Sequence, residues 1–144
     1  MLGIIIAIIA GVSMSVQGVF NTNLSETIGL WETNSLVQGI GLIISLIVMF
    51  FMGDGDLRAL KDANKLYLLG GVLGAVITYT VMKSISSLGT TFAIGIILIA
   101  QLSAAAAIDH FGLFGGSNHN CMGIKEIIGI AIMIIGIVIF KWKK

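Results

Sequence analysis

The feature that most limits this sequence is a series of apolar runs near 20 residues long, repeated along the chain and parted by short polar stretches. From Met1 to Leu24 there is no charged residue, and the polar side chains in that run are serine, threonine and amides. A soluble helix keeps an apolar stripe on one face, whereas a helix apolar all round is buried in a large core or in a membrane. A hydrocarbon core of about 30 Å is crossed by about 20 helical residues. Charged residues make up 10% of the chain, against about 25% in a soluble domain, and its mean hydropathy is +1.07. These observations predict an all-α membrane protein. A length of 144 residues leaves room for four or five crossings and almost no domain outside the bilayer.

The polar punctuation predicts five spans in one transmembrane domain covering 1–144, at about 2–24, 33–52, 66–84, 90–109 and 124–142. The run from Leu66 to Asp109 is too long for one crossing, and the polar stretch from Lys83 to Thr91 divides it. Span five is the shortest. Its uninterrupted core, Ile127 to Phe140, reaches only about 21 Å at 1.5 Å per residue, so flanking Lys125, Lys141 and Lys143 are expected to snorkel. The chain has 19 glycines and no proline, so any break must come from glycine. Gly70 and Gly74 form a small-xxx-small pair in span three. Gly129 and Gly136 share a face of span five and are candidates for a contact between subunits.

Composition also excludes several classes. A net charge of +1 without a basic cluster argues against a nucleic-acid partner. Cys121 is the one cysteine, so no internal disulfide is possible. The start "MLGIIIAIIAG" lacks a basic n-region, and a retained span is expected there rather than a cleaved leader. No nucleophile–base set, phosphate loop or catalytic carboxylate pair is present, so neither enzymatic activity nor a cofactor is expected. His119 and Cys121 are only two candidate ligands, too few for a metal site.

Five spans put the termini on opposite faces. Arg58, Lys61, Lys65 and Lys125 then fall on one face, and Lys83, Lys141, Lys143 and Lys144 on the other. Orientation normally follows an excess of such residues on the cytoplasmic side. Four against four gives almost no bias. The chain is therefore expected to insert both ways up, and two opposed copies can pair as an unfused inverted repeat.

Polar residues inside the spans are the candidate site. Ser13, Gln17 and Asn21 recur at i, i+4 and share a face. They line a cavity for a polar neutral or zwitterionic solute, or they bond to neighbouring helices. Gln38 in span two, Tyr79 in span three and Gln101 in span four are the other substrate-binding candidates; a mid-span amide has no water to satisfy it and needs a protein or cavity partner. Glu32, Lys83, Asp109 and His110 are candidates for coupling or gating. Each also has a structural reading: Glu32 as an acid at a helix start, Lys83 as a snorkelling anchor, and Asp109 with His110 as a helix end turned by Gly112. Histidine ordinarily titrates near pH 6.5, which would make His110 a protonation switch. Trp31 fits an interfacial anchor.

Two motifs carry a family resemblance. "QGVFNTNL" resembles the Gln-x-x-x-Asn-x-x-Leu signature of the small five-helix YdcZ-like family in the drug/metabolite transporter superfamily, and "AQLSAAAAIDHFGLFGG" resembles that family's Asp-His-Phe-Gly-Leu-Phe-Gly segment. The resemblance implies a subunit equal to half of a ten-helix transporter, in the bacterial or archaeal cell membrane. It implies antiparallel pairs, either homodimers or heterodimers with a paired homologue. Small multidrug resistance transporters, which are similar, carry a membrane-embedded Glu in span one. Here Gln17 stands in an acid-free run, which argues against proton-coupled export of hydrophobic cations. The expected function is secondary-active transport, with export favoured, of a small polar solute by alternating access. A dual-topology ion channel and a non-transporting subunit of a larger complex are the alternatives.

Overall fold

The structure is a computed structural model and describes residues 1–112 and 123–142. It contains five α-helices among the described residues: α1 Leu2–Ile28, α2 Leu30–Met52, α3 Leu69–Leu88, α4 Thr90–Phe111 and α5 Ile124–Lys141. Residues 113–115 of the Asp-His-Phe-Gly-Leu-Phe-Gly string, the pair His119 and Cys121, and Lys143 and Lys144 lie outside the described residues.

Four helical segments are long and apolar enough to cross a membrane: Leu2–Ile28, Leu30–Met52, Lys65–Leu88 and Thr90–Phe111. The 18-residue α5 carries Lys125, Glu126 and Lys141 at its ends and is not among them. The helices wear their apolar side chains outside. Ile8 is 61% exposed, Phe50 83% and Ile132 62%. The buried side chains include Asn21, Thr22, Thr33 and Asn34 beside Met82, Ile85 and Ala93. Water-soluble proteins show the reverse. In lipid, apolar side chains gain nothing by leaving the hydrocarbon, so small and polar residues fill the helix contacts instead.

The helices extend further than the polar punctuation suggests. α1 continues through Ser25, Glu26 and Thr27 to Ile28, and one residue, Gly29, joins it to α2. Likewise Gly89 alone joins α3 to α4. Gly29 has φ 102 and ψ 158, and Gly89 has φ 82 and ψ 153. That region of backbone space is essentially restricted to glycine. Ser25, Glu26 and Thr27 therefore do not mark a loop. Ser25 and Thr27 donate their hydroxyls to the carbonyls of Thr22 and Asn23 and stay in the helix.

Backbone contacts divide the chain into two compact units, 1–87 and 88–144. In the first unit, α1 packs along α2. The connection from α2 to α3 holds two short 3₁₀ turns, Leu57–Lys61 and Lys65–Leu68. Each starts on an Asx cap: Arg58 N–H donates to Asp56 at 2.8 Å, and Leu66 N–H to Asn64 at 3.0 Å. In the second unit, α4 packs along α5. The two helices meet tightly at Gly95, where a Cβ would sit 2.6 Å from Ile137 Cδ1. The α5 helix starts where Gly123 N–H donates to Glu126 Oε2 at 2.8 Å, and α4 ends on left-handed Gly112.

Candidate functional site

Gln17 and Asn21 lie one turn apart on α1, and the structure places both at the edge of a small cleft. Its other walls are Met14 and Gly18 from α1 and Ile77, Thr78 and Val81 from α3. The volume is about 50 Å³, room for a few water molecules. Gly18 forms the narrow point. A Cβ there would meet Ile85 Cδ1 at 2.9 Å and Val81 Cγ1 at 3.4 Å, so its lack of a side chain lets α3 approach α1. Neither Gln17 nor Asn21 makes a side-chain hydrogen bond to another described residue. The two amides thus offer free donors and acceptors at the cleft.

Thr78 connects this cleft to α2. Its hydroxyl donates to Gly74 O at 3.0 Å and accepts from Gln38 Nε2 at 3.5 Å. Gln38 therefore reaches the candidate site through Thr78. One turn back on α2, Asn34 Nδ2 donates to Ala75 O of α3 at 3.0 Å. Farther along the same seam, the Trp31 and Tyr79 rings stack with centroids 4.5 Å apart and 23° between planes. Trp31, Asn34 and Gln38 thus follow one face of α2 and meet Ala75, Thr78 and Tyr79 on α3. One ring face of Tyr79 is covered by Trp31. Beside this seam, Thr33 Oγ1 and Asn34 Oδ1 are buried without a hydrogen-bond partner among the described residues.

Thr78 is not among the substrate-binding residues expected from the sequence, though the sequence holds a signal for it. Thr78-Tyr79-Thr80 places two hydroxyls and a phenol inside an apolar run. The glycine contacts also differ from those expected. Gly74 faces Gln38, 3.6 Å from a built Cβ, whereas Gly70 has no neighbour within 4 Å. Gly129 and Gly136 have none within 4 Å either, so their face of α5 is open among the described residues. The tight glycines are Gly18 and Gly95. Gly18 with Thr22, and Thr91 with Gly95, are small-xxx-small pairs that could have been read.

The remaining candidates lie apart from the cleft or in the other unit. Gln101 is exposed on α4, in the second unit, and makes no side-chain hydrogen bond to another described residue. Glu32 stands in the first turn of α2, and its carboxylate occupies the place a Gly29 Cβ would take. An acid there is favoured by the positive end of the helix dipole. Lys83 is exposed near the end of α3, and its carbonyl accepts from Ser87 Oγ at 2.8 Å. Neither Glu32 nor Lys83 forms an ion pair among the described residues. Asp109 and His110 occupy the last turn of α4, both exposed, with the His110 ring edge-on to Phe111 at 5.0 Å. Among the described residues no three His, Cys, Asp or Glu side chains gather as metal ligands.

Comparison with known proteins places this arrangement. The family model described as "Putative inner membrane exporter, YdcZ" matches residues 2–139. No curated protein and no solved structure matches the chain. Exporters are membrane transporters, which are not a class of enzyme. The match covers all five helices up to the last two residues of α5, and the apolar exterior is that of a chain surrounded by lipid. The chain belongs to the YdcZ-like family of the drug/metabolite transporter superfamily and is a multi-pass protein of the inner membrane.

Proposed function

We propose that this chain is half of a secondary-active exporter for a small polar solute, and that two copies in opposite orientations form the transporter. In this reading α5 is a fifth, short crossing, and 1–144 forms one transmembrane domain. The observation that carries the proposal is the cleft of Gln17, Asn21 and Thr78, two unbonded amides and a hydroxyl on helices otherwise clad for lipid. Gln17 is exposed and Asn21 is buried, and a buried polar group without a partner costs about 1–3 kcal/mol. A solute with its own donors and acceptors would offset that cost. The cleft in one chain is too small for a metabolite, so the mate's counterpart would complete it. Balanced lysine and arginine across the two faces supports opposed insertion. Alternating access then follows from rocking one half against the other around a midplane site. Gln17 and Asn21 would bind solute directly, Gln38 would orient Thr78, and Tyr79 and Gln101 would complete the polar path. Glu32, Lys83, Asp109 and His110 would serve coupling or gating, and the open Gly129 and Gly136 face would meet the mate.

Two experiments test this. A Cys121→Ser, Lys144→Cys chain, labelled from outside in intact cells, is expected to react in part, because both orientations are present. All-or-none labelling would remove the opposed homodimer and leave a paired homologue. Screening small polar solutes by thermal shift should give a hit that Gln17→Ala abolishes while leaving the unliganded midpoint nearly unchanged. A hit unaffected by Gln17→Ala and Asn21→Ala would move the site elsewhere.

A further inference from the structure

Between α4 and α5 runs a groove of about 470 Å³. Its walls are Phe92, Ile96 and Ile99 from α4 and Ile134, Ile137 and Val138 from α5. Lys141 and Trp142 close one end. Apart from those two residues the lining is wholly hydrocarbon, so a polar solute would find nothing to bond with along its length. An acyl chain would. The Lys141 ammonium sits over the Phe92 ring, 4.0 Å from its centroid. That contact holds the charge at the groove mouth. Lys141 forms no ion pair among the described residues, so its N–H donors are available to an anion.

We propose that this groove is a binding site for an anionic phospholipid, with an acyl chain along α4 and α5 and the phosphate at Lys141. Three observations select this occupant. The ligand must be apolar along most of its length and negative at one end. Trp142, 78% exposed beside Lys141, is the residue type that settles at the headgroup level. Lys143 and Lys144 follow directly in the sequence, making a basic juxtamembrane cluster of the kind that attracts anionic headgroups. The short apolar core of α5 adds a reason. A helix that falls short of the hydrocarbon thickness draws its flanking lysines and nearby headgroups inward.

A second copy of the chain is the competing occupant, and helix geometry separates the two. At about 100° per residue, Gly129 and Gly136 point roughly 140° away from the mean direction of Ile134, Ile137, Val138 and Lys141. The open glycine face and the groove are different faces of α5, so a mate on one leaves the other to lipid. The lipid site does not depend on the proposed transport function.

Tryptophan quenching tests this directly, because the chain has only two tryptophans. A Trp31→Phe chain leaves Trp142 as the sole reporter. Reconstituted into phosphatidylcholine vesicles, it should be quenched by brominated phosphatidylglycerol with a relative affinity about fivefold above brominated phosphatidylcholine, one lysine's worth of attraction. Lys141→Gln should bring the two lipids close to equal. Lys143→Gln with Lys144→Gln should preserve most of the difference. Equal quenching in the parent chain would reduce the groove to ordinary solvating lipid. Loss of preference in the tail pair but not in Lys141→Gln would assign it to the tail, and failure of either lipid to quench would mean protein covers the groove. Each of these three results overturns the proposal. Native mass spectrometry of the unaltered protein should likewise retain phosphatidylglycerol over phosphatidylcholine, with no tryptophan changed.

Discussion

The two units of this chain hold their helices together by different means. In the first, α2 and α3 meet through a polar seam: Asn34 to Ala75, Gln38 to Thr78, and Trp31 stacked on Tyr79. In the second, α4 and α5 meet through shape, with Ile137 seated against Gly95 and apolar side chains on either side. Lipid offers no hydrophobic drive for helix association, so both strategies are available, and each has a consequence. Shape-based contact is indifferent to register once the knob is lost. Hydrogen bonds are directional and can be exchanged for bonds to a ligand. In the proposed reading the polar seam serves solute recognition and the apolar groove of the second unit contacts lipid.

Substitutions probe this contrast, and the largest effect is expected at the hairpin of the first unit. Gly29→Val forces a branched side chain into glycine-only backbone and against the Glu32 carboxylate. The backbone strain alone costs about 1–3 kcal/mol. Gly89→Val has the same strain but no heavy atom within 4 Å of its Cβ. It should therefore cost less in a denaturation titration, and equal losses would show that the Glu32 contact is immaterial. Next comes Gly95→Val, an overpacking of about 1–3 kcal/mol that pushes α5 off α4. Gly129→Val and Gly136→Val should leave subunit stability unchanged, because their faces are open, and lower dimer content on crosslinking. If all three behave alike, shape does not hold the second unit.

Smaller effects should separate the polar contacts. Asn34→Ala removes the bond to Ala75, and membrane hydrogen bonds of this type average about 0.6 kcal/mol. Thr33→Val removes a buried hydroxyl that has no partner and should be neutral or stabilising, since an unmet buried polar group is itself a cost. A destabilised Thr33→Val would mean that its oxygen is engaged in the assembled transporter. The smallest change is Lys141→Gln, which forfeits an exposed cation–π contact of about 0.5 kcal/mol and should shift the unfolding midpoint only slightly.

Much of the fold is legible in the residues. Apolar runs locate five helices, and the i, i+4 spacing of Gln17 and Asn21 places them on one face. Helix ends are less legible. Ser25, Glu26 and Thr27 read as a loop, yet hydroxyl bonds to carbonyls within the helix carry α1 to Ile28. The helix-start reading of Glu32 comes from its position just before an apolar run, and Glu32 stands in the first turn of α2. Gly70 and Gly74 look equivalent by spacing, but only Gly74 meets a neighbour. The Thr78-Tyr79-Thr80 run signals polar atoms inside the membrane, but nothing in it says that Thr78 rather than Thr80 meets α1 and α2.

Hydropathy and charge depend on residue type alone. The sequence by itself therefore determined that the chain lives in a bilayer and that it is helical. Which helices touch, and through which atoms, depends on residues far apart in the chain coming within a few ångströms. Only the tertiary structure decided that Gly18 and Gly95 are tight points, that Gln38 donates to Thr78, and that Lys141 rests over Phe92.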